Sequence, residues 1–455
     1  MNIEATPNQP ASPHPAPRIG PRPLPLHLAT AVWTWQSSEI GLPLLSGDWH
    51  RWNDASPASN GATPSPLAQA LSSHQAELRK RLTVLSGQLA GLAPDGDVRA
   101  LANGAFAQAV RLEGARRFDR LMQGILAYRH HKVRRDLPEP AVLAAEGTTL
   151  LLDYSAYNEG TALGDTALFM VPSLVNGCHV LDINAERSFM RAMARGGVHP
   201  YLIDWQAPLG PERDFDATAY VARLARLYDA LRARHKGRIV IAGYCMGGLL
   251  ALALALQRQE DCASLLLLAT PWDFDADRAG QAGLLSSLPL LDQLVQAAGE
   301  LPVDALQTLF YSLDPWTAVR KFQRFAGLPQ DSAQARDFVL LEDWLNEGAP
   351  LAGPIARDCL LGWYGANSPG KRQWCVDGQI VDPSKFLKPA LVIVPGQDRI
   401  VPPDSARALL PPAQGALPNA KPLELALGHI GMVVSAKAPS MLWQPCLAWL
   451  VSSGA

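Results

Sequence analysis

Three residues of this 455-residue chain have the types and the order needed for nucleophilic acyl chemistry: Cys245, Asp398 and His429. Cys245 stands in Gly243-Tyr244-Cys245-Met246-Gly247-Gly248. A short β-branched run, Arg238 to Ala242, precedes it, and a Leu/Ala-rich stretch of high helix propensity, Leu249 to Leu256, follows. The segment reads strand, sharp turn, helix. Gly243 and Gly247 supply the flanks without a Cβ that such an elbow needs, because the backbone at the nucleophile is strained and the helix packs close to the strand. The helix N-terminus then aims its amides and positive dipole end at the sulfur, which favours thiolate over thiol. The Met246 amide is placed to form one arm of an oxyanion hole. Taken alone, the hexapeptide reads equally as a buried structural cysteine in a glycine-containing turn.

The two partners come from later strands. Ala390 to Val394 is a continuous apolar run, as expected of a strand covered on both faces, and it ends in Pro395-Gly396-Gln397-Asp398-Arg399-Ile400-Val401-Pro402. Pro422 to Leu427 is a further short strand, ending in Gly428-His429-Ile430-Gly431. Catalytic groups gather at the carboxyl ends of parallel strands, and the order nucleophile, acid, histidine is that of α/β-hydrolases. Asp382 and Asp404 lie off the strand exit, and His130, His131, His179 and His199 read as structural or surface residues. Cys178, Cys262, Cys359, Cys375 and Cys446 form no C-x-x-C pair and no cluster at metal spacing, so they read as core residues and no metal site is expected.

At these motifs the chain resembles the polyhydroxyalkanoate synthases, a branch of the α/β-hydrolase superfamily. The resemblance rests on the cysteine-containing lipase-like box at Gly243 to Gly248; Val171-Pro172-Ser173-Leu174-Val175-Asn176 with Val180-Leu181-Asp182-Ile183; Leu202-Ile203-Asp204-Trp205; Asp398-Arg399-Ile400-Val401-Pro402; and Gly428-His429-Ile430. It spans roughly residues 140 to 450 and departs from the family pattern at Arg399 and Leu249. It implies that Cys245 carries the acyl group, His429 acts as base and Asp398 supports it. The segment after Val171 would supply the second oxyanion amide near Leu174 or Val175. The substrates implied are 3-hydroxyacyl-coenzyme A, with no separate cofactor, and a growing polyester chain; a polymer granule surface and a homodimer are the implied associations. A cysteine conserves the energy of a thioester on transfer, which suits passing the acyl group to an alcohol. The same triad in a wetter pocket would make a thioesterase or an intracellular polyester depolymerase, and a catalytically inactive granule-associated binding protein is the remaining alternative.

Composition agrees with an enzyme of this fold. A net charge of −2 gives no argument for nucleic acid or an anionic membrane surface. Apolar runs are too short to span a bilayer, no secretory signal is evident, and six cysteines in so long a chain form no disulfide framework. The expected location is cytoplasmic.

The expected organisation is a flexible Pro-rich tail over 1–25, a mostly helical region over 26–140, an α/β-hydrolase core over 141–270 and 384–455, and a helical cap over 271–383. Within the second region, residues 27 to 60, with Trp33, Trp35, Trp49 and Trp52, fit neither helix nor strand; Pro66 to Leu92 and Val98 to His131 read as helices. The run Arg129 to Arg135 reads as a solvated basic helix end or as a phosphate or coenzyme A contact. Strands are expected at Thr148 to Tyr154, Ala167 to Val171, Tyr201 to Asp204, Arg238 to Ala242 and Leu265 to Ala269, with helices at Ala185 to Arg195 and Ala217 to Arg234, giving a mostly parallel sheet. The cap, rich in tryptophan, would exclude water and bind aliphatic chains.

Overall fold

A computed structural model describes residues 18–45 and 105–452. They form two compact units, one of residues 24–130 with 316–329, the other of the remaining residues.

The smaller unit pairs helix α1 (Leu24–Leu45) with α2 (Ala105–His130) and a helix over Thr317–Phe325. Gly124 marks the closest approach: a Cβ there would strike the Phe322 carbonyl. Tyr128 meets Phe322 edge-on at 5.6 Å between ring centroids, and Trp35 stacks on Phe118 at 6.1 Å. Helix α1 corrects the reading of residues 27 to 60 over its described part, residues 27–45. Trp and Thr are weak helix formers, yet the packing of one face outweighs local propensity: His27 and Ala31, one turn apart, are both buried. Trp49, Trp52 and the helix expected over Pro66 to Leu92 lie outside the described residues.

The larger unit is built on an eight-stranded sheet: β1 (Ala141–Glu146), β2 (Thr149–Asp153), β3 (Thr166–Val171), β4 (His199–Asp204), β5 (Arg238–Tyr244), β6 (Ser264–Leu268), β7 (Ala390–Pro395) and β8 (Ala420–Leu425). The spatial order is β1-β2-β4-β3-β5-β6-β7-β8. The pairs β1/β2 and β2/β4 are antiparallel and every later pair is parallel. Strand β1 was not anticipated, since Ala-Val-Leu-Ala-Ala-Glu lacks a clear period of two and its first residues are exposed. The central strands β3, β5, β6 and β7 are Leu-, Ile- and Val-rich and buried along nearly their whole length, as strands covered on both faces must be. One face is covered by α4 (Ala217–Arg234) and α5 (Met246–Gln257), the other by α3 (Phe189–Arg195) and the C-terminal helix. Helix α3 starts four residues later than Ala185 because Ser188 caps it, accepting from the Arg191 amide at 3.0 Å.

Between β6 and β7 lies the helical insertion: α6 (Ala282–Ala298), α7 (Val303–Ser312), α8 (Ala333–Asn346) and α9 (Gly353–Arg357), which runs on as a π-helical stretch, Asp358–Gly365. The insertion does not stay whole, because residues 316–329 group with the smaller unit.

One sequence expectation changes at the N-terminal side. Residues 1–17 lie outside the described residues, but within the expected tail Arg18 is buried and its guanidinium binds Asp343 through two hydrogen bonds, at 2.6 and 2.9 Å. The basic run divides: Arg129 and the exposed His130 end helix α2, as read from the sequence, whereas Arg135 is engaged within the fold. Helix α2 stops at His130, and Arg135 inserts toward Asp182 at 2.9 Å. Asp182, fully buried, also accepts from Arg191 at 2.7 Å and from the Tyr154 hydroxyl at 3.2 Å. The Val180-Leu181-Asp182-Ile183 motif therefore ties the extended segment before β1 onto the sheet.

Candidate active site

Cys245 sits at the turn from β5 into α5 with φ 56° and ψ −129°, a left-handed conformation that a residue with a Cβ adopts only when its surroundings over-determine it. The surroundings do so. The Cys245 amide donates to the Leu268 carbonyl at 2.9 Å, and the Gly248 amide donates back to the Cys245 carbonyl at 2.9 Å. A Cβ at Gly243 would strike the Gly248 Cα, and one at Gly247 would strike the carbonyl oxygens of Val171 and Pro172. Gly248, not singled out from the sequence, is as constrained, since a Cβ there would meet the side chain of the buried Thr270.

The loops after β7 and β8 are joined by hydrogen bonds from the Gly396 amide to Leu425 O at 2.7 Å and from the Gln397 amide to Leu427 O at 3.0 Å. This places Asp398 against His429. One carboxylate oxygen of Asp398 accepts from the amides of Ile400 and Val401 at 2.8 and 2.9 Å. The other accepts from His429 Nδ1 at 2.6 Å. Both side chains are buried. With Nδ1 so engaged, Nε2 is the nitrogen left for Cys245. Burial pushes the imidazole down, but the charges of Cys245 and Asp398 and the hydrogen bonds to both outweigh it, raising its pKa from 6.5 to about 10. The raised value favours the protonated ring.

Tyr244 is a participant that sequence reasoning missed. Its ring stacks on His429 at 5.2 Å between centroids and 28° between planes, and its hydroxyl donates to the His429 carbonyl at 3.3 Å. Its place immediately before the nucleophile was the available signal, because the last residue of β5 faces the loop after β8.

Cys245 opens into a cavity of about 500 Å³ lined by Val175, Met246, Leu249, Leu284, Leu301, Leu306, Leu309, Leu360 and Trp363 among others, with Asp398 and Arg399 also on its wall. Met246 is the first residue of α5, where an amide has no intrahelical carbonyl to reach. Val175 lines the same cavity, but its amide donates to Ser173 Oγ at 3.3 Å. Cys359, read as a plain core residue, is buried yet reaches this cavity, its sulfur 3.3 Å from that of Met246. Cys375 is exposed, not core. Trp363 is a cap tryptophan on the cavity wall, whereas Trp344 and Trp374 are buried outside that lining. Arg399 is exposed and pairs with Asp314 at 3.3 Å.

A second cavity, about 630 Å³, is lined by Arg134, Arg135, His179, Asp204, Asp343 and Glu347 among others and contains none of the three residues. His179 there faces Glu347 at 3.5 Å, and burial followed by the charge of Arg135 pushes its pKa down to about 4. His199 contacts Ser155 Oγ at 3.2 Å and Gly164 O at 3.1 Å. Asp404 pairs with Arg407, and Asp382 caps the turn at Ser384. These rivals serve structural partners. Among the described residues no group of three or more His, Cys, Asp or Glu could hold a metal ion, and no helix is long and apolar enough to cross a membrane.

The family model described as the alpha/beta hydrolase fold matches residues 166–426, from β3 through β8. The chain belongs to the α/β-hydrolase fold family. Among curated proteins it is similar to the poly(3-hydroxyalkanoate) polymerase subunit PhaC of Haloarcula marismortui, 28% identical over 68% of this chain and 66% of that protein. The subunits of the same name from Haloferax mediterranei and Allochromatium vinosum are each 28% identical, over 68% of this chain and 63% of the first, and over 69% of this chain and 88% of the second. The chain spans about two thirds of the length of the two haloarchaeal relatives. These relatives bear out the resemblance to the polyhydroxyalkanoate synthases. A solved esterase from Thermogutta terrifontis aligns with 71% of this chain and all of its own length, at 17% identity and a TM-score of 0.40.

Proposed function

We propose that the protein is an acyltransferase of the polyhydroxyalkanoate synthase kind, moving 3-hydroxyacyl groups from coenzyme A through Cys245 to the hydroxyl end of a growing polyester. The observation that carries this reading is a thiol, in place of the hydroxyl of a serine hydrolase, at the strained elbow facing the His429–Asp398 pair and an apolar cavity. The similarity to PhaC subunits supports it.

In the first half-reaction the Cys245 thiolate attacks the thioester carbonyl. The tetrahedral oxyanion is met by backbone amides, with the Met246 amide as the first arm. The carbon–sulfur bond to coenzyme A breaks, and the leaving thiolate takes the proton from His429 Nε2. In the second, neutral His429 removes the proton of the chain-end hydroxyl as that oxygen attacks the acyl–Cys245 carbonyl, an ester forms, and Cys245 leaves as thiolate beside the restored imidazolium. Asp398 holds the tautomer and the ring orientation throughout. Apolar walls keep water from competing with the alcohol.

The test is purified protein with 3-hydroxybutyryl-CoA, following coenzyme A by its free thiol and the product by mass. Ester oligomers formed together with coenzyme A support the transferase. Free hydroxy acid alone would make the protein a hydrolase, and no release across chain lengths would leave a binding role.

A further inference from the structure

We infer that the acyl groups served at this site carry long aliphatic tails, of the order of ten carbons, with the tail lodged between the elbow and the helical insertion. This deepens the acyl-transfer reading and rests on it. Beyond Cys245 the cavity wall is built by Leu284 of α6, Leu306 and Leu309 of α7, and Leu360 and Trp363 of the π-helical stretch. On the elbow side Leu249, fully buried, adds another isobutyl group. These walls offer contact to methylenes, while Asp277, Gln281, Ser312 and Arg399 supply the polar part of the lining.

Size points the same way. The cavity is about 500 Å³, and one water-sized unit takes roughly 30 Å³, so a 3-hydroxybutyryl group, with six heavy atoms, would leave more than half of it unfilled. A short-chain polyester would fit the volume but not the chemistry. It carries an ester every few atoms, and those of its carbonyls that lie against leucines, away from the Trp363 Nε1 donor and Gln281, would lack a donor. An alkyl tail carries no such group. Each methylene moved from water into these walls should tighten binding about fourfold at most.

The experiment uses the full chain with Cys245→Ala, so that bound thioesters are not consumed, titrated calorimetrically with 3-hydroxybutyryl-CoA, 3-hydroxydecanoyl-CoA and decanoate. The expected result is at least tenfold tighter binding of the decanoyl than of the butyryl thioester. Leu309→Trp, or Leu284→Trp should the first fail to fold, should remove that advantage, bringing the decanoyl thioester to the affinity of the butyryl thioester or below. Butyryl binding as tight as decanoyl would overturn the inference and leave the transfer reading standing. Decanoate binding that is lost in the tryptophan variant, with neither thioester bound, would uphold the tail site while refuting the transfer reading.

Discussion

The elbow and the two loops after β7 and β8 place catalytic groups by different physics. At the elbow, position is set by exclusion: three glycines leave no room for a Cβ, and Cys245 is forced to a positive φ. In the loops, position is set by attraction. Backbone hydrogen bonds join Gly396 to Leu425 and Gln397 to Leu427, and the carboxylate of Asp398 is held by two amides and one imidazole. The difference teaches that the nucleophile is specified by six consecutive residues, whereas its partners depend on the register of two strands.

Substitutions that touch the chemistry test the roles on each side most strongly. Cys245→Ala should lower acyl transfer by about a millionfold, by analogy with loss of a triad nucleophile, while circular dichroism shows the fold kept; measurable transfer in that variant would break the elbow side of the comparison. Asp398→Asn keeps an oxygen for the Ile400 and Val401 amides and should lower transfer about ten-thousandfold. With the charge of Asp398 gone, the His429 pKa should fall, read by NMR of the imidazole; an unchanged value would remove Asp398 from its role.

Packing substitutions sharpen the contrast directly. Gly247→Ala should lower stability by about 1–3 kcal/mol or more in chemical denaturation, because the added methyl meets backbone carbonyls that cannot move aside. Gly428→Ala, beside His429, meets its nearest atom only at 3.4 Å, the Gln397 carbonyl, and should change stability by less than about 0.5 kcal/mol. Equal costs at the two glycines would erase the distinction. The pH dependence follows from the raised His429 pKa. Because the folded value, about 10, lies above the ordinary 6.5, the protonated ring stabilises the fold fully below pH 6.5, and that contribution is lost as pH rises through 10. The stability difference between the wild type and His429→Gln should therefore shrink across that window, and a difference that grows with pH would contradict the ion-pair picture. Tyr244→Phe should have the smallest effect, a loss of about 1 kcal/mol or less, since the stack is kept and only the 3.3 Å hydrogen bond goes.

The same contrast explains what could be read from the chain. Glycine spacing, β-branched runs and Leu/Ala-rich stretches are local, so β2 to β8, α4, α5 and the order Cys245, Asp398, His429 were legible. Features that depend on distant partners were not. Helix α1 is supported by packing against α2, β1 by pairing with β2, and Arg135 is committed to an aspartate 47 residues away. Tyr244 was hidden for the same reason, as its ring meets a histidine 185 residues on. Val175 is the reverse case: its proximity to the cavity was legible, but the Ser173 hydroxyl bound to its amide was not.

The central claim is that Cys245 holds the acyl group as a thioester. Brief mixing with 3-hydroxyacyl-CoA, acid quench and peptide mass analysis test it most directly. The account predicts one 3-hydroxyacyl unit, or a short ester oligomer, on the peptide containing Cys245, removable by hydroxylamine and absent in Cys245→Ala. Release of coenzyme A at full rate in Cys245→Ala, or an acyl group on any other residue that turns over at the rate of the reaction, would contradict it.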